Sequence, residues 1–351
     1  MRDMKLIKTT EAVGHVLCHD MTQIIPGVKK DAAFRKGHIV TKEDIPVLLS
    51  MGKESLYVWE KQEGMLHENE AAEILFSICK NAYMKGSEIK EGKIQLTAEV
   101  DGVFEVDTKR LNRINGLGEI IIATRHSHFP VKKGDVLAAT RVIPLVIEQE
   151  KMDAAKDAAG DTPLFTIHPF HKKKAVILTT GNEVFTGRIQ DAFGPVIRKK
   201  LGEYDVEVLY QTILDDKPEK ITSAIKKAAE DGADLIVCTG GMSVDPDDTT
   251  PSAIKNTGAR MITYGAPVLP GAMFLLAYYD NPGVGGQLES PIPVMGLPGC
   301  VMYNKRTIFD LVLPRVLANE ILEKEDLTVL GEGGLCLNCP ECHFPNCGFG
   351  K

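Results

Sequence analysis

The sequence predicts an α/β protein: an open, mostly parallel sheet flanked by helices, preceded by a smaller, mixed, β-rich N-terminal region. Three observations support this fold class. From residue 174 onward, short apolar runs alternate with helical patterns, which is typical of βαβ units. Residues 92–148 instead show the period of strands. The chain has 351 residues, 44% hydrophobic and 25% charged, a composition typical of a globular protein of about two domains.

The first part of the chain is predicted to hold short strands and one helix. Thr41 and Asp44 have the spacing of a capping box, and Gly52 is suited to end the helix that follows. A strand is expected directly afterwards, over residues 56–59. We interpret residues 1–62 as one α+β segment.

The next part is predicted to be a mixed, β-rich domain over residues 63–150. Helical spacing of apolar residues indicates a helix within 66–85. Residues 93–100 alternate with period two, and Asp101-Gly102 predicts a hairpin turn into the next strand. Small, polar and proline residues over 151–173 indicate a connection between domains. The further strands predicted here are 103–106, 120–123 and 142–147.

The third part, residues 174–322, is predicted to be the α/β domain. Asp216, with Pro218 and Glu219 behind it, predicts the start of a helix that ends near Gly232. A last helix is expected over 301–321. The predicted strands are 174–179, 206–209, 234–239 and 292–295. The first of these is continuously apolar, as in a parallel strand with both faces buried.

Charge and hydropathy exclude several classes of partner. Lys and Arg number 41 against 48 Asp and Glu, a net charge of −7, which argues against nucleic acid and anionic membranes as main partners. The run Ala272–Tyr279 is far shorter than the roughly 20 apolar residues of a membrane span. The first residues lack the apolar stretch of a signal peptide. We therefore expect a cytoplasmic protein.

Glycines, hydroxyls and carboxylates follow all four strands of the α/β domain. Because parallel strands end at one edge of the sheet, these turns are expected to meet there. Backbone N–H groups at such turns can approach a phosphate, and carboxylates from separate turns suit Mg²⁺. The alternative is that Gly240-Gly241 only turns the chain and that Asp248 caps a helix near Pro251. The turn residues are Thr180, Gly181 and Glu183; Asp215 and Asp216; Gly240, Gly241, Ser243 and Asp248; and Gly296, Pro298 and Gly299.

These turns also carry a family resemblance. In order, Thr180-Gly181-Asn182-Glu183, Asp215-Asp216, Gly240-Gly241-Met242-Ser243 and Gly296-Leu297-Pro298-Gly299 resemble the molybdopterin-binding domain of the molybdopterin molybdenumtransferase family, of the gephyrin E-domain type. The domain of molybdopterin adenylyltransferases is similar. Residues 1–60 resemble a shortened and divergent N-terminus of that family. The resemblance implies molybdopterin, Mg²⁺ and molybdate as ligands.

The resemblance also implies roles for individual residues. Glu183, Asp215 and Asp248 match the acids of the metal and oxyanion cluster, and are the candidate catalytic residues. Gly240, Gly241 and Ser243 would hold the pterin phosphate. The expected partners are molybdopterin, a further copy of the chain, and a molybdoenzyme or other cofactor-biosynthesis proteins.

The chain departs from the family pattern at positions that bear on activity. Pro270-Gly271-Ala272-Met273 lacks the family's lysine, and the N-terminal Asp-Gly-Tyr-Ala motif is absent. These departures favour a non-catalytic molybdopterin carrier or sensor, whereas the intact acids favour a transferase that inserts molybdate. We predict the transferase, with the carrier and an adenylyltransferase as alternatives.

The last residues form a separate cysteine-rich tail, 331–351. Four of the eight cysteines fall there, at Cys336, Cys339, Cys342 and Cys347, after Gly331-Glu332-Gly333-Gly334. This spacing suits a Cys₄ zinc site or an iron–sulfur cluster. The alternative is a disordered tail of free thiols. In either case the glycines suggest a hinge, and the core fold is expected not to require the tail.

Overall fold

The structure is a computed structural model, and it describes residues 4–25, 29–59, 63–171, 174–243, 248–280 and 291–351. The chain divides into two compact units. The N-terminal unit comprises residues 1–100, 105–127 and 132–167, and the C-terminal unit comprises 101–104, 128–131 and 168–351. The four predicted segments remain predictions as domain boundaries, since the units are assembled from interleaved pieces of chain.

The chain up to residue 169 is rich in short strands, consistent with the predicted β-rich region. Its helices are α1 (Asp44–Ser50), α2 (Glu68–Cys79), α3 (Thr108–Asn115) and α4 (Gln149–Ala159). Its strands are β1 (Met4–Lys8), β2 (Val16–Leu17), β3 (Met21–Ile25), β4 (Lys29–Phe34), β5 (Ser55–Trp59), β6 (Met65–His67), β7 (Met84–Gly86), β8 (Lys93–Ala98), β9 (Gly102–Val106), β10 (Ile120–Thr124), β11 (Phe129–Val131), β12 (Val136–Val142), β13 (Val146–Glu148) and β14 (Phe165–Pro169). The sheet orders are β1-β5-β2, β3-β4, β13-β6, β10-β12-β8-β7 and β11-β9-β14.

Two local predictions in this region are wrong. The hairpin at Asp101-Gly102 does not form, because β8 pairs with β7 and β12 while β9 pairs with β11. The strand predicted over 142–147 is split between β12 and β13, and Pro144, which lacks an N–H, lies in the break. Residues 151–173, where the sequence places a connection between domains, contain most of α4, which buries Met152 and Ala155, and β14.

The predicted helix start at Thr41 is correct only in part. The Asp44 carboxylate accepts hydrogen bonds from the Thr41 N–H and hydroxyl, both at 2.8 Å. However, α1 begins at Asp44 itself, with Glu43 as its N-cap. The Thr41–Asp44 pair therefore orders the turn before the helix rather than its first turn.

The C-terminal unit contains the predicted open, mostly parallel sheet. The strand order is β16-β15-β17-β20-β19-β18, and the first three pairings are parallel. Its strands are β15 (Lys174–Thr180), β16 (Glu207–Leu214), β17 (Leu235–Thr239), β18 (Arg260–Tyr264), β19 (Leu275–Tyr279) and β20 (Ile292–Leu297). Its helices are α5 (Asn182–Phe185), α6 (Phe193–Gly202), α7 (Pro218–Glu230), α8 (Thr250–Asn256), α9 (Ile308–Leu317) and α10 (Lys324–Thr328).

Helices cover both faces of this sheet, as its apolar strands require. Val176 and Leu178 of β15 belong to a buried cluster with residues of α7 and α8. Ala175 and Ile177 belong to the cluster on the opposite face, with residues of α6 and α9. Successive side chains of a strand point to opposite faces, so the continuous apolar run fills two cores at once.

Two further predictions in this unit need correction, and two strands are additional to the predicted ones. The additional strands are β18 and β19, which pair antiparallel. Helix α9 is shorter than the predicted 301–321, because Thr307 caps its start with a reciprocal Thr307–Asp310 capping box. Helix α7 has Lys217 as its N-cap and not Asp216, whose carboxylate has another partner.

The cysteine-rich tail packs as part of the C-terminal unit, and the independence of the core from the tail remains a prediction. Phe349 is only 4% exposed and belongs to the cluster around α9. The Cys336 N–H donates to the Leu269 carbonyl at 2.8 Å, and the Gly350 N–H donates to Gly333 at 2.9 Å. The proposed hinge is therefore a packed, hydrogen-bonded segment, and the disordered tail is also excluded. No helix of the described residues has the length and apolar character needed to cross a membrane.

Candidate functional site

The carboxyl ends of β16, β15, β17 and β20 lie side by side at one edge of the sheet. The parallel registers align Leu214 with Thr180, Thr179 with Thr239, and Thr239 with Leu297. The turns that follow these strands therefore come together, as the sequence predicts. We call this edge the carboxyl edge.

Hydrogen bonds tie three of these turns to one another. The Asp216 carboxylate accepts from the Asn182 N–H at 2.8 Å, which joins the turn after β16 to the turn after β15. The Thr249 hydroxyl donates to the Asp216 carbonyl at 2.8 Å. The hydroxyls of Thr180 and Thr250 lie 3.1 Å apart, which joins the turn after β15 to the start of α8. The three turns thus form a closed set held by side chains.

Asp216, which is not among the predicted catalytic acids, is bonded to two of the neighbouring turns, through Asn182 and Thr249. Burial raises the pKa of Asp216, and the nearby carboxylates of Glu183, Asp248 and Asp215 raise it further, against the lowering effect of the Asn182 N–H. Negative charge therefore accumulates here. The sequence places Asp216 among the turn residues of this edge, but does not indicate that Asp216, and not Asp215, joins the turns.

Asp215, predicted as a catalytic acid, has lysine partners instead. Its carboxylate accepts from Lys220 at 2.8 Å and lies 3.6 Å from the ammonium of Lys217. The hydrogen bond from Lys220 lowers the pKa of Asp215 most strongly, with a smaller contribution from Lys217. Its Oδ1 atom is buried without a hydrogen-bond partner in the described part of the chain. Both lysines are exposed, so they bring positive charge to the same edge.

Glu183 and Asp248 lie close enough to Asp216 for their charges to raise its pKa, and both are accessible to solvent. Glu183 is in the short helix α5, directly after the Gly181 turn. Asp248 does not cap α8, because the N-cap of that helix is Thr249. The alternative that Asp248 serves only to cap a helix near Pro251 is therefore not supported. Across the described residues, no three His, Cys, Asp or Glu side chains converge closely enough to hold a metal ion.

The two glycines after β17 are required by close packing. Gly240 has a φ of +85°, and a Cβ there would overlap the Thr180 carbonyl group. Gly241 has a φ of +53°, and its Cβ would lie 2.9 Å from the Thr250 hydroxyl oxygen. Side chains are strained at such φ values. The glycines therefore turn the chain tightly against β15, and any phosphate contact by their N–H groups is additional to that role.

Ser243 and the residues after β20 differ in their access to the edge. Ser243 is exposed, and its carbonyl accepts from the Tyr264 hydroxyl at 3.1 Å. Gly296 is buried within β20, where the Met242 side chain occupies the space beside its Cα. Pro298 is buried and Gly299 is exposed. Of the predicted ligand-binding residues after β20, Gly299 is the one open to solvent.

The four tail cysteines line one cavity in the C-terminal unit. Its volume is about 300 Å³, and Lys305, Arg306 and Phe344 also line it. Cys336 and Cys347 are half-buried, and Cys339 and Cys342 are exposed. The tail therefore brings the four predicted ligands around a common space.

Comparison with known proteins supports a coarse assignment of this region. Residues 176–318 match the family model described as "Probable molybdopterin binding domain". Residues 6–60 match a separate model, a domain of unknown function (DUF8806), and the resemblance of residues 1–60 to a shortened family N-terminus remains a prediction. The molybdopterin-type match covers less than half of the chain.

Curated relatives match only part of the chain. A CinA-like protein of Mycobacterium avium (strain 104) is 40% identical over 95 residues, 27% of this chain and 22% of the relative. A CinA-like protein of Mycobacterium tuberculosis (strain H37Rv) is 43% identical over 87 residues, 25% of this chain and 20% of the relative. The chain thus spans about a fifth of the length of the curated relatives it matches.

Solved structures of low identity also resemble part of the chain. The molybdopterin biosynthesis enzyme MoaB from Thermus thermophilus is 20% identical, with a TM-score of 0.32, covering 42% of this chain and 98% of that one. The tungsten cofactor synthesizing protein MoaB from Pyrococcus furiosus is 21% identical, with a TM-score of 0.31, covering 37% of this chain and 84% of that one. At these TM-scores the likenesses add no argument about activity. Residues 176–318 form an α/β domain and match the family model of a probable molybdopterin-binding domain.

Proposed function

We propose that the C-terminal unit binds molybdopterin at the carboxyl edge and inserts molybdate into the bound pterin with the help of Mg²⁺. The single observation that carries this proposal is the hydrogen-bonded set of three turns around Asp216. Turns that are fixed to one another form a preorganised site. Little of the binding free energy of a ligand that spans them is therefore needed to order the turns. The match over residues 176–318 supports the choice of ligand.

The carboxylates are proposed to hold Mg²⁺. Asp216, Glu183 and Asp248 repel one another, and a divalent cation would relieve that repulsion. They do not converge as a ready-made cage within the described residues. Mg²⁺ does not need such a cage, because it keeps several waters and binds through one or two carboxylates together with substrate phosphates.

Two lysines are proposed to replace the lysine that the family carries beside its Pro-Gly pair. Lys217 and Lys220 are exposed at the carboxyl edge, and both contact Asp215. Their ammonium groups can bind phosphate or molybdate oxygens as point charges. The exposed residues Ser243 and Gly299 would present backbone N–H groups to the same anion.

One observation favours the alternative of a non-catalytic molybdopterin carrier. Asp215, which matches a catalytic acid of the family, is held by Lys220 at 2.8 Å and is therefore less available as a metal ligand. A carrier would bind the pterin without needing the full set of acids. No observation on the described residues favours an adenylyltransferase over these two.

Titration of molybdopterin into the full-length protein, with and without Mg²⁺ and molybdate, tests both proposals. We expect Asp216→Asn and Glu183→Gln to abolish molybdenum insertion and to weaken pterin binding little. Asp231→Asn is the matched control, because Asp231 pairs with Lys227 and Tyr210 on α7 and β16. Pterin binding without insertion in the wild type would establish the carrier. The absence of pterin binding would contradict both proposals.

A further inference from the structure

We propose that Cys336, Cys339, Cys342 and Cys347 bind an iron–sulfur cluster of the [4Fe–4S] type in the cavity that they line. The proposal does not depend on the function of the carboxyl edge. It rests on the arrangement of the tail, on the spacing of its cysteines in the sequence and on the charges around the cavity.

The tail forms a loop whose two ends are fixed. At its start, the Leu269 N–H donates to the Gly334 carbonyl and the Cys336 N–H donates back to Leu269, both at 2.8 Å. At its end, the Gly350 N–H donates to Gly333 at 2.9 Å. All four cysteines lie between these anchors. The fold therefore holds the cysteines near one another, as a bound cofactor requires.

The cavity has a buried side and an open side. Cys336, Cys347 and Phe344 pack against the core cluster around α9, whereas Cys339 and Cys342 are exposed. Two of the four cysteines are thus half-buried and two are exposed. All four line the same cavity of about 300 Å³.

The four cysteines line the cavity without forming a ready-made metal site, since among the described residues, which include the whole tail, no three His, Cys, Asp or Glu side chains are placed to hold a metal ion. A Cys₄ zinc site draws four sulfurs to about 2.3 Å from one ion, whereas a [4Fe–4S] cluster has one cysteine on each of four irons. The tail must therefore adjust to either centre, and the choice of the cluster rests on the sequence spacing.

The sequence spacing gives independent support. Cys336, Cys339 and Cys342 are separated by two residues each, and Cys347 follows after four more. Bacterial cluster-binding sequences begin with the same two gaps of two residues. Zinc ligands more often occur as two close pairs that are far apart in sequence.

Positive groups at the cavity suit a negatively charged, cysteine-bound cluster. The Lys305 ammonium donates to the Pro340 carbonyl at 2.6 Å, between Cys339 and Cys342 in sequence. The Arg306 guanidinium lies 5.0 Å from the centre of the Phe344 ring. Both residues line the cavity. Arg306 also pairs with Glu203 at 2.7 Å and with Asp310 at 2.8 Å, and Glu341 lines the cavity as well. Four thiolates in one place repel one another, so Lys305 and above all the bound iron would offset that repulsion.

The test is the metal content of full-length protein purified without oxygen, before and after reconstitution with ferrous iron and sulfide. We expect about four irons and four sulfides per chain, with the visible absorption of an iron–sulfur cluster. One zinc per chain that iron does not displace would overturn the proposal. Protein that binds neither metal after reconstitution would overturn it as well.

Variants assign the ligands. Cys339→Ser and Cys342→Ser replace exposed side chains, so their fold should survive, and we expect them to lose most of the bound iron. Cys18→Ser, in the N-terminal unit, is the matched control and should keep the wild-type iron content. Far-ultraviolet circular dichroism of metal-free wild type and variants separates ligand loss from unfolding. Wild-type iron content in both tail variants would contradict the assigned ligand set.

Discussion

Replacing Thr250 by valine should weaken ligand binding by loosening the turns of the carboxyl edge. Thr250 is completely buried, and its hydroxyl donates to the Gly240 carbonyl at 2.9 Å. The same oxygen lies 3.1 Å from the Thr180 hydroxyl. Valine fills nearly the same volume but cannot form either bond. The Gly240 carbonyl and the Thr180 hydroxyl would then each lose a buried partner.

The size of the effect follows from the cost of an unsatisfied buried polar group, about 1–3 kcal/mol. If the turn after β17 moves to avoid that cost, the ligand must return the turn to its binding position. Part of the binding free energy is then spent on that movement. The dissociation constant for molybdopterin should then rise by up to about 5- to 150-fold, since each 1.4 kcal/mol is about tenfold. The free energy of unfolding of the variant should fall by no more than the same amount.

Fluorescence titration with molybdopterin and chemical denaturation measure the two quantities on the same samples. Thr222→Val is the matched control, because the Thr222 hydroxyl also donates a hydrogen bond, to Ala253 at 2.9 Å, but joins α7 to α8. The control should lose stability and keep its affinity. Thr250→Val with wild-type affinity would refute the role assigned to the linked turns.

Three other predictions concern the C-terminal unit. Phe349→Ala should destabilise metal-free protein by about 3–5 kcal/mol, whereas Leu337→Ala, at a side chain that is 79% exposed, should change stability by about 0.5 kcal/mol or less. If chemical denaturation showed small effects of equal size for both variants, the tail would not be part of the core. Asp216→Asn should stabilise Mg²⁺-free protein at about pH 7, because the native pKa of Asp216 is raised and its charge therefore destabilises the native state above that pKa. In thermal denaturation the gain in stability should vanish below the usual pKa of an aspartate, and a gain that does not depend on pH would exclude this cause. Lys200→Met should lower the free energy of unfolding by about 3–5 kcal/mol, because the buried Asp310 carboxylate, 2.7 Å from Lys200, loses that positive charge. A double-mutant cycle with Asp310→Asn should show strong coupling, and additive losses would contradict the pairing.

The α/β half of the chain is the part that the sequence predicts best, because each of its local patterns is compatible with only one kind of structure. The run from Lys174 to Thr179 is too apolar for a strand with one wet face, so it required a sheet covered on both sides. Parallel pairing then brought the turns to one edge without further information. The same reasoning did not distinguish Asp215 from Asp216, because consecutive residues beyond a strand point in different directions and their partners lie elsewhere in the chain.

Strand pairing was harder to predict where several partners were available. Residues 93–98 alternate as a strand in any sheet, and the Asp101-Gly102 turn suggested the next strand as their partner. The actual partners are β7 and β12, and β12 lies well beyond the next strand in sequence. The apolar run Leu275–Tyr279 likewise does not reveal its pairing partner or its direction. In the structure it pairs antiparallel with β20.

The glycines of the tail suggest flexibility from the sequence alone, whereas the structure shows that one of them permits close packing. A Cβ at Gly334 would overlap the Leu330 carbonyl and lie 2.6 Å from the Pro267 carbonyl oxygen. The glycine permits close backbone approach, which is a requirement of packing. Sequence alone does not separate a glycine that bends freely from one that fits a narrow space.

A crystal structure of the full-length chain with molybdopterin and Mg²⁺ tests the central claim most directly. We expect the pterin phosphate at the turns that begin at Gly181 and Gly240, and Mg²⁺ bound by one or two of Glu183, Asp216 and Asp248. Molybdopterin bound elsewhere on the C-terminal unit, or bound at this edge with the three carboxylates facing solvent and no cation between them and the ligand, would contradict the proposed site.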